Sequence, residues 1–140
     1  MLGGEAGQGV QSVGYILAKA LARYGLHIFA DQDYESRIRG SHSFFRVRAS
    51  EEEMGAPSEI VNILVALNKE SIDLHRKELA TKSVVIFDSD KVKDIGNDSN
   101  LFGMPIELLA QESAKNKLMA NTVARGAALS LAGYDLKTLI

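Results

Sequence analysis

The run Gly4-Glu5-Ala6-Gly7-Gln8-Gly9-Val10, followed at once by an amphipathic stretch, constrains the fold more than any other feature of this chain. Glycine at 7 and 9 permits positive φ and leaves no Cβ to block another backbone or a phosphate. The helix that follows offers free N–H groups and the positive end of its dipole. The spacing is G-x-x-G-x-G, the reverse of the dinucleotide fingerprint, and Ser12 stands where that pattern would place its third glycine. No G-x-x-x-x-G-K-[ST] run is present, which argues against a P-loop nucleotidase. Two readings stay open: a cradle for a small anion, and a turn that lets helix and strand pack closely.

What surrounds this loop is one domain spanning 1–140, since 140 residues with 46% hydrophobic content suffice for a core. Charges of both signs are interspersed and sum to −2, so no electrostatic grip on nucleic acid or an anionic membrane is expected. With no cysteine, the chain cannot ligate an iron–sulfur cluster through thiolates, form a disulfide or use a thiol nucleophile. Any redox centre must belong to a partner. No basic-then-apolar leader and no membrane-length apolar run is present, and a cytoplasmic location is the expectation.

Helix and strand patterns alternate along the chain. Val10, Val13, Gly14, Leu17, Leu21 and Tyr24 share a stripe, which predicts a helix over about 9–24 with Gly25 as its C′ residue. Leu26 to Ala30 reads as a short buried strand opening into the polar loop Asp31-Gln32-Asp33-Tyr34-Glu35-Ser36-Arg37. Phe44 to Ser50 alternates like a half-exposed strand near a sheet edge. Ile60 to Leu67 is a buried strand, Asn68 caps a helix carrying Ile72, Leu74, His75 and Leu79, and Ser83 to Phe87 is a further strand. A weak strand signal covers Met104 to Ile106, and an alanine-rich helix is expected over roughly Met119 to Ala132. The alternation predicts an α/β fold, a three-layer Rossmann-like sandwich with a mainly parallel sheet. Only Met1 and Leu2 precede Gly3, and 136–140 reads like the start of another helix, so truncation at both ends is expected.

Three motifs occur in order: Gly3-Gly4-Glu5-Ala6-Gly7-Gln8-Gly9-Val10-Gln11-Ser12-Val13-Gly14, then Asp33-Tyr34-Glu35-Ser36-Arg37-Ile38-Arg39-Gly40-Ser41-His42, then Val65-Ala66-Leu67-Asn68-Lys69-Glu70. Together they resemble the gamma domain of 2-oxoacid:ferredoxin oxidoreductases, most of all the form fused ahead of the alpha part. The resemblance implies a multisubunit enzyme that decarboxylates a 2-oxoacid such as pyruvate or 2-oxoglutarate on thiamine diphosphate, passes electrons through iron–sulfur clusters to ferredoxin, and releases acyl-CoA. It gives this chain a noncatalytic, non-redox place, with alpha and beta thiamine-binding subunits and a ferredoxin-like subunit as partners. Coenzyme A is the ligand the domain would help accommodate. Where the family commonly has Arg-Gly-Gly-His-Asn, this chain has Arg39-Gly40-Ser41-His42-Ser43, which implies a stiffer loop.

The candidate ligand-binding residues are Gly7, Gln8, Gly9, Arg37, Arg39, Gly40, Ser41 and His42. Two arginines spaced by two in an extended segment can direct both guanidinium groups to one side and grip phosphate or carboxylate. Pairing with Asp31, Asp33 or Glu35, or with a neighbouring subunit, is the plainer reading. His42 is a candidate proton carrier, or simply an interface histidine. His27 and His75 lack histidine or carboxylate neighbours at metal-ligand spacing, and no metal site is expected. Asp31 and Asp33 fall about where a Rossmann acid would bind ribose, which keeps a free-standing nucleotide-binding module as the alternative.

Overall fold

The computed structural model describes residues 1–34, 41–96, 98–114, 122–123, 126–127, 130 and 133. Among these, the elements run β1 (Leu2–Glu5), α1 (Val10–Arg23), β2 (His27–Tyr34), β3 (His42–Ser50), β4 (Val61–Ala66), α2 (Lys69–His75), a 3-10 turn (Arg76–Glu78), β5 (Leu79–Asp88), β6 (Leu101–Met104) and α3 (Ile106–Ala114). The sheet order is β2-β3-β1-β4-β5-β6. Strands β1, β4, β5 and β6 form a parallel block, and β3 runs antiparallel to both β1 and β2.

Apolar side chains of the sheet divide between two clusters, one on each face. Val10, Val13, Leu17 and Leu21 of α1 and Ile106 of α3 meet Leu2, Phe45, Val65 and Ile86 on the first. Ile72 of α2 and Val92 meet Leu64, Ala66 and Val85 on the second. Central strands thus bury both of their faces, as a sheet covered by helices on both sides requires. Helix, sheet and helix make the expected three-layer sandwich.

Local chemistry sets the element ends. Gly25, at φ 86°, donates its N–H to Ala22 O (2.9 Å), and Leu26 N–H to Leu21 O (3.4 Å), a Schellman closure of α1. Asn68 caps α2, its Oδ1 accepting from Ser71 N–H (3.0 Å) and Ser71 Oγ–H (2.6 Å). Asp88, 2% exposed at the end of β5, accepts from the N–H groups of Asp90 (3.1 Å) and Glu107 (3.3 Å), fastening β5 to the first turn of α3.

Several expectations need correction. A strand does precede the glycine loop: Leu2–Glu5 lies in the sheet between β3 and β4, with Gly3 and Gly4 as strand residues. Both glycines are there for close packing, since a Cβ at Gly3 would lie 2.8 Å from Ser71 and one at Gly4 would lie 2.6 Å from Gln8 Oε1. The strand expected to end at Ala30 continues to Tyr34 as an edge strand, because antiparallel pairing with β3 satisfies its backbone along the polar stretch. The signal at Met104 marks the end of β6, and Ile106 opens α3, a helix not among those expected. The predicted helix over 119–132 lies largely outside the described residues; Thr122, Val123, Gly126, Ala127 and Ser130 are helical, and Val123 and Ala127 pack against the first cluster. No helix among the described residues is long and apolar enough to cross a membrane.

Candidate functional site

The glycine loop leaves the end of β1 and enters α1. Gln8 N–H donates to Glu5 O (3.0 Å), while Glu5 N–H donates to the Gln8 side-chain oxygen (2.8 Å), so Gln8 folds back and closes the turn. Gly7 and Gly9 both have positive φ, 99° and 78°. Nothing lies within 4 Å of where a Gly7 Cβ would stand, so this position is glycine for its backbone angle and not for lack of room. Gly9 is the N-cap of α1, with no side-chain cap and no acidic residue in the first turn. The positive end of the helix dipole therefore meets no carboxylate of that turn.

The segment that closes this loop comes from the far side of the β2–β3 connection. Ala6 N–H donates to Ser41 O (2.8 Å), and Glu5 pairs across the ladder with His42. Ala6 and Ser41, 35 positions apart in sequence and members of two different motifs, thus meet at one end of the sheet. The structure brings Gly7, Gln8, Gly9, Ser41 and His42 together; Arg37, Arg39 and Gly40 lie outside the described residues. Gln11 steadies the junction, its amide donating to Ser43 Oγ (3.0 Å) and Phe44 O (3.3 Å).

His75, read from sequence only as lacking neighbours at metal-ligand spacing, has both a histidine and a carboxylate beside it in the fold. His42 Nε2 and His75 Nε2 lie 2.9 Å apart, and His75 Nδ1 is 3.0 Å from Glu78 Oε1. Both rings are 5% exposed, and Phe44 meets His75 edge-on with centroids 5.2 Å apart. Arg46 reaches the same group, its guanidinium 3.7 Å from Glu78 Oε2 and 3.5 Å from Asp31 Oδ2 while Nη1 donates to Ser58 O (2.9 Å). Sequence spacing carries only the His75–Glu78 pair, three residues apart; the other members come from β2 and β3 and meet them only in the fold. Among the described residues, no group of three or more histidine, aspartate or glutamate side chains is arranged to hold a metal ion.

The same geometry speaks against a dinucleotide site. In a Rossmann half the ribose-binding acid ends a strand that lies beside and parallel to the first. Here the antiparallel β3 separates β2 from β1, and Asp31 sits within β2 opposite Arg46. A cavity of about 420 Å³ lies at the other end of β1, lined by Met1, Leu2, Arg46, Val47, Ile60 and Val61 among others, and includes none of the glycine-loop residues.

Known proteins match this chain along its length. The family model described as pyruvate ferredoxin/flavodoxin oxidoreductase matches residues 1–140. The ketoisovalerate oxidoreductase subunit VorA of Methanothermobacter thermautotrophicus is 33% identical over 137 residues, covering 96% of this chain and 28% of the relative. The 2-oxoglutarate synthase subunit KorC of Methanocaldococcus jannaschii is 31% identical over 133 residues, covering 90% of this chain and 70% of the relative. Among solved structures, the 2-oxoglutarate:ferredoxin oxidoreductase from Magnetococcus marinus, with 2-oxoglutarate, coenzyme A and succinyl-CoA bound, superposes with a TM-score of 0.85 at 25% identity, covering 99% of this chain and 25% of that one. The gamma subunit of the keto/oxoacid ferredoxin oxidoreductase from Geobacter sulfurreducens superposes with a TM-score of 0.79 at 28% identity, covering 99% and 79%. The chain thus spans between 13% and 29% of the longer proteins it matches.

Proposed function

We propose, from the premise that this chain belongs to the pyruvate ferredoxin/flavodoxin oxidoreductase family, that it is the gamma-type domain of a multisubunit 2-oxoacid:ferredoxin oxidoreductase. The observation that carries this reading is the family match over all of residues 1–140. The complex would convert a 2-oxoacid and coenzyme A to acyl-CoA and carbon dioxide, with a pair of electrons passing to ferredoxin. A chain without cysteine offers no thiolate to an iron–sulfur cluster, so the clusters fall to a ferredoxin-like partner. Thiamine diphosphate, which supplies the decarboxylation chemistry when bound, falls to alpha and beta parts.

Residues 1–140 act as one unit whose contributions are assembly and the coenzyme A side of the site. Gly7 and Gly9 take positive φ where the chain enters α1, and no acidic residue stands in the first turn of that helix. An anionic phosphate gains from that arrangement through hydrogen bonds and the helix dipole. Gln8 holds the turn closed, while Ser41 fixes its far side through Ala6. Arg37, Arg39, Gly40 and His42 belong to the same sequence motif as Ser41 and are assigned with it as candidate ligand-binding residues. The bound complex would work in the cytoplasm, where ferredoxin is its electron acceptor.

Purifying the tagged chain from its own source lysate under oxygen-free conditions tests the assignment. Thiamine-binding and iron–sulfur proteins should be retained with it. A folded chain that retains neither would overturn the assignment and return attention to a free-standing nucleotide-binding module.

A further inference from the structure

We propose that Glu78 and His75 are positioning residues for His42, forming a buried relay that fixes the protonated nitrogen of the motif histidine at the glycine-loop junction. The inference follows from donor and acceptor bookkeeping. A carboxylate oxygen accepts, so Glu78 Oε1, 3.0 Å from His75 Nδ1, places the proton of a neutral His75 on Nδ1. His75 Nε2 is then a lone pair. His42 Nε2, 2.9 Å away, must be the donor, which leaves Nδ1 of His42 as its acceptor nitrogen.

The surroundings hold this arrangement in place. Glu78 Oε2 lies 3.7 Å from Arg46 Nη1, and Arg46 lies 3.5 Å from Asp31, so the carboxylate has a counter-charge on the side away from the imidazoles. Phe44 packs edge-on to His75. Both imidazoles are nearly withdrawn from water, so their tautomers are set by protein partners. His42 in turn follows Ser41, whose carbonyl secures Ala6 in the glycine loop.

The relay stands independently of the assembly proposed above, since all its members lie within this chain.

Nuclear magnetic resonance on the full chain with nitrogen-15 in its imidazoles reads each tautomer directly. The expected pattern is a protonated Nδ1 and bare Nε2 in His75, and the opposite in His42. The exposed His27 is an internal reference. Glu78→Gln should keep the pattern, because its amide oxygen still accepts, while Glu78→Leu should give mixed tautomers at both rings and leave His27 unchanged. A proton on Nδ1 of His42 in the unaltered chain overturns the relay, as does a Glu78→Leu variant that retains both tautomers. If Glu78→Leu does not fold, the unaltered chain and Glu78→Gln decide.

Discussion

Gly14→Ala is expected to destabilise the chain by about 2 to 3 kcal/mol, although intrinsic helix propensity alone would favour alanine by about 1 kcal/mol. Gly14 lies in the middle of α1, and a Cβ there would stand 2.2 Å from two ring atoms of Phe45 and 2.6 Å from its Cβ. Phe45 belongs to the first core cluster with Leu2, Val13, Leu17 and Val65, so its ring has little space to yield. Insertion into such a core forces side chains off their rotamers or lifts the helix from the sheet. Urea unfolding of the two proteins measures the effect. Paired with Phe45→Ala, which removes both ring atoms, the change should cost less than the two single changes summed, a coupling expected only of residues in contact. Equal or greater stability of Gly14→Ala would show that α1 does not rest on Phe45.

Gly9→Asp is expected to separate binding from folding. Aspartate tolerates positive φ better than most residues, so the strain of its 78° angle should lower stability by only about 1 kcal/mol. Its carboxylate, however, stands at the end of α1 that an anionic ligand would use. Like charges a few ångströms apart near a protein surface repel by a few kcal/mol at an effective dielectric of about 20, before screening by salt. The assembled enzyme should therefore show a KM for coenzyme A raised about tenfold or more, with the KM for the 2-oxoacid unchanged. Unchanged coenzyme A kinetics in a well-folded Gly9→Asp enzyme would remove the glycine loop from the coenzyme A site.

The parts of this fold legible from sequence are those written in local chemistry. The stripe from Val10 to Leu21, the terminating Gly25 and the capping Asn68 each act within a few residues; α1 begins and ends close to where those signals place it, whereas α2 starts after Asn68 as expected but ends at His75, and Leu79, expected in that helix, opens β5. β1 was hidden because two of its four residues are glycine, a poor strand former. Their reason, room for Ser71 and Gln8, is visible only once distant elements meet. The edge position of β2 was hidden too, since pairing with β3 is a nonlocal fact that lets polar Asp31 to Tyr34 remain in a strand. For α3 a signal existed: Pro105 followed by Ile106, Glu107, Leu109 and Ala110 has the proline start and the apolar spacing of a short helix.

The candidate site divides in the same way. Positive φ at Gly7 and Gly9 was legible because few residues other than glycine adopt it readily. That Ser41 closes this loop follows from the antiparallel pairing of β1 with β3, which no spacing rule encodes. His42 and His75 are 33 residues apart and come from opposite sides of β4, so their contact required the crossover from β3 to α2. Motif order carried the family assignment where individual residues could not.

The most direct test of the central claim is ferredoxin reduction by the oxygen-free complex, assayed with coenzyme A and a panel of pyruvate, 2-oxoglutarate and a branched 2-oxoacid, with this chain present or omitted. Turnover on at least one of these substrates should require the chain and return when it is added back. Full, coenzyme A-dependent turnover by the complex without it would contradict the assignment of this chain as a working part of the enzyme.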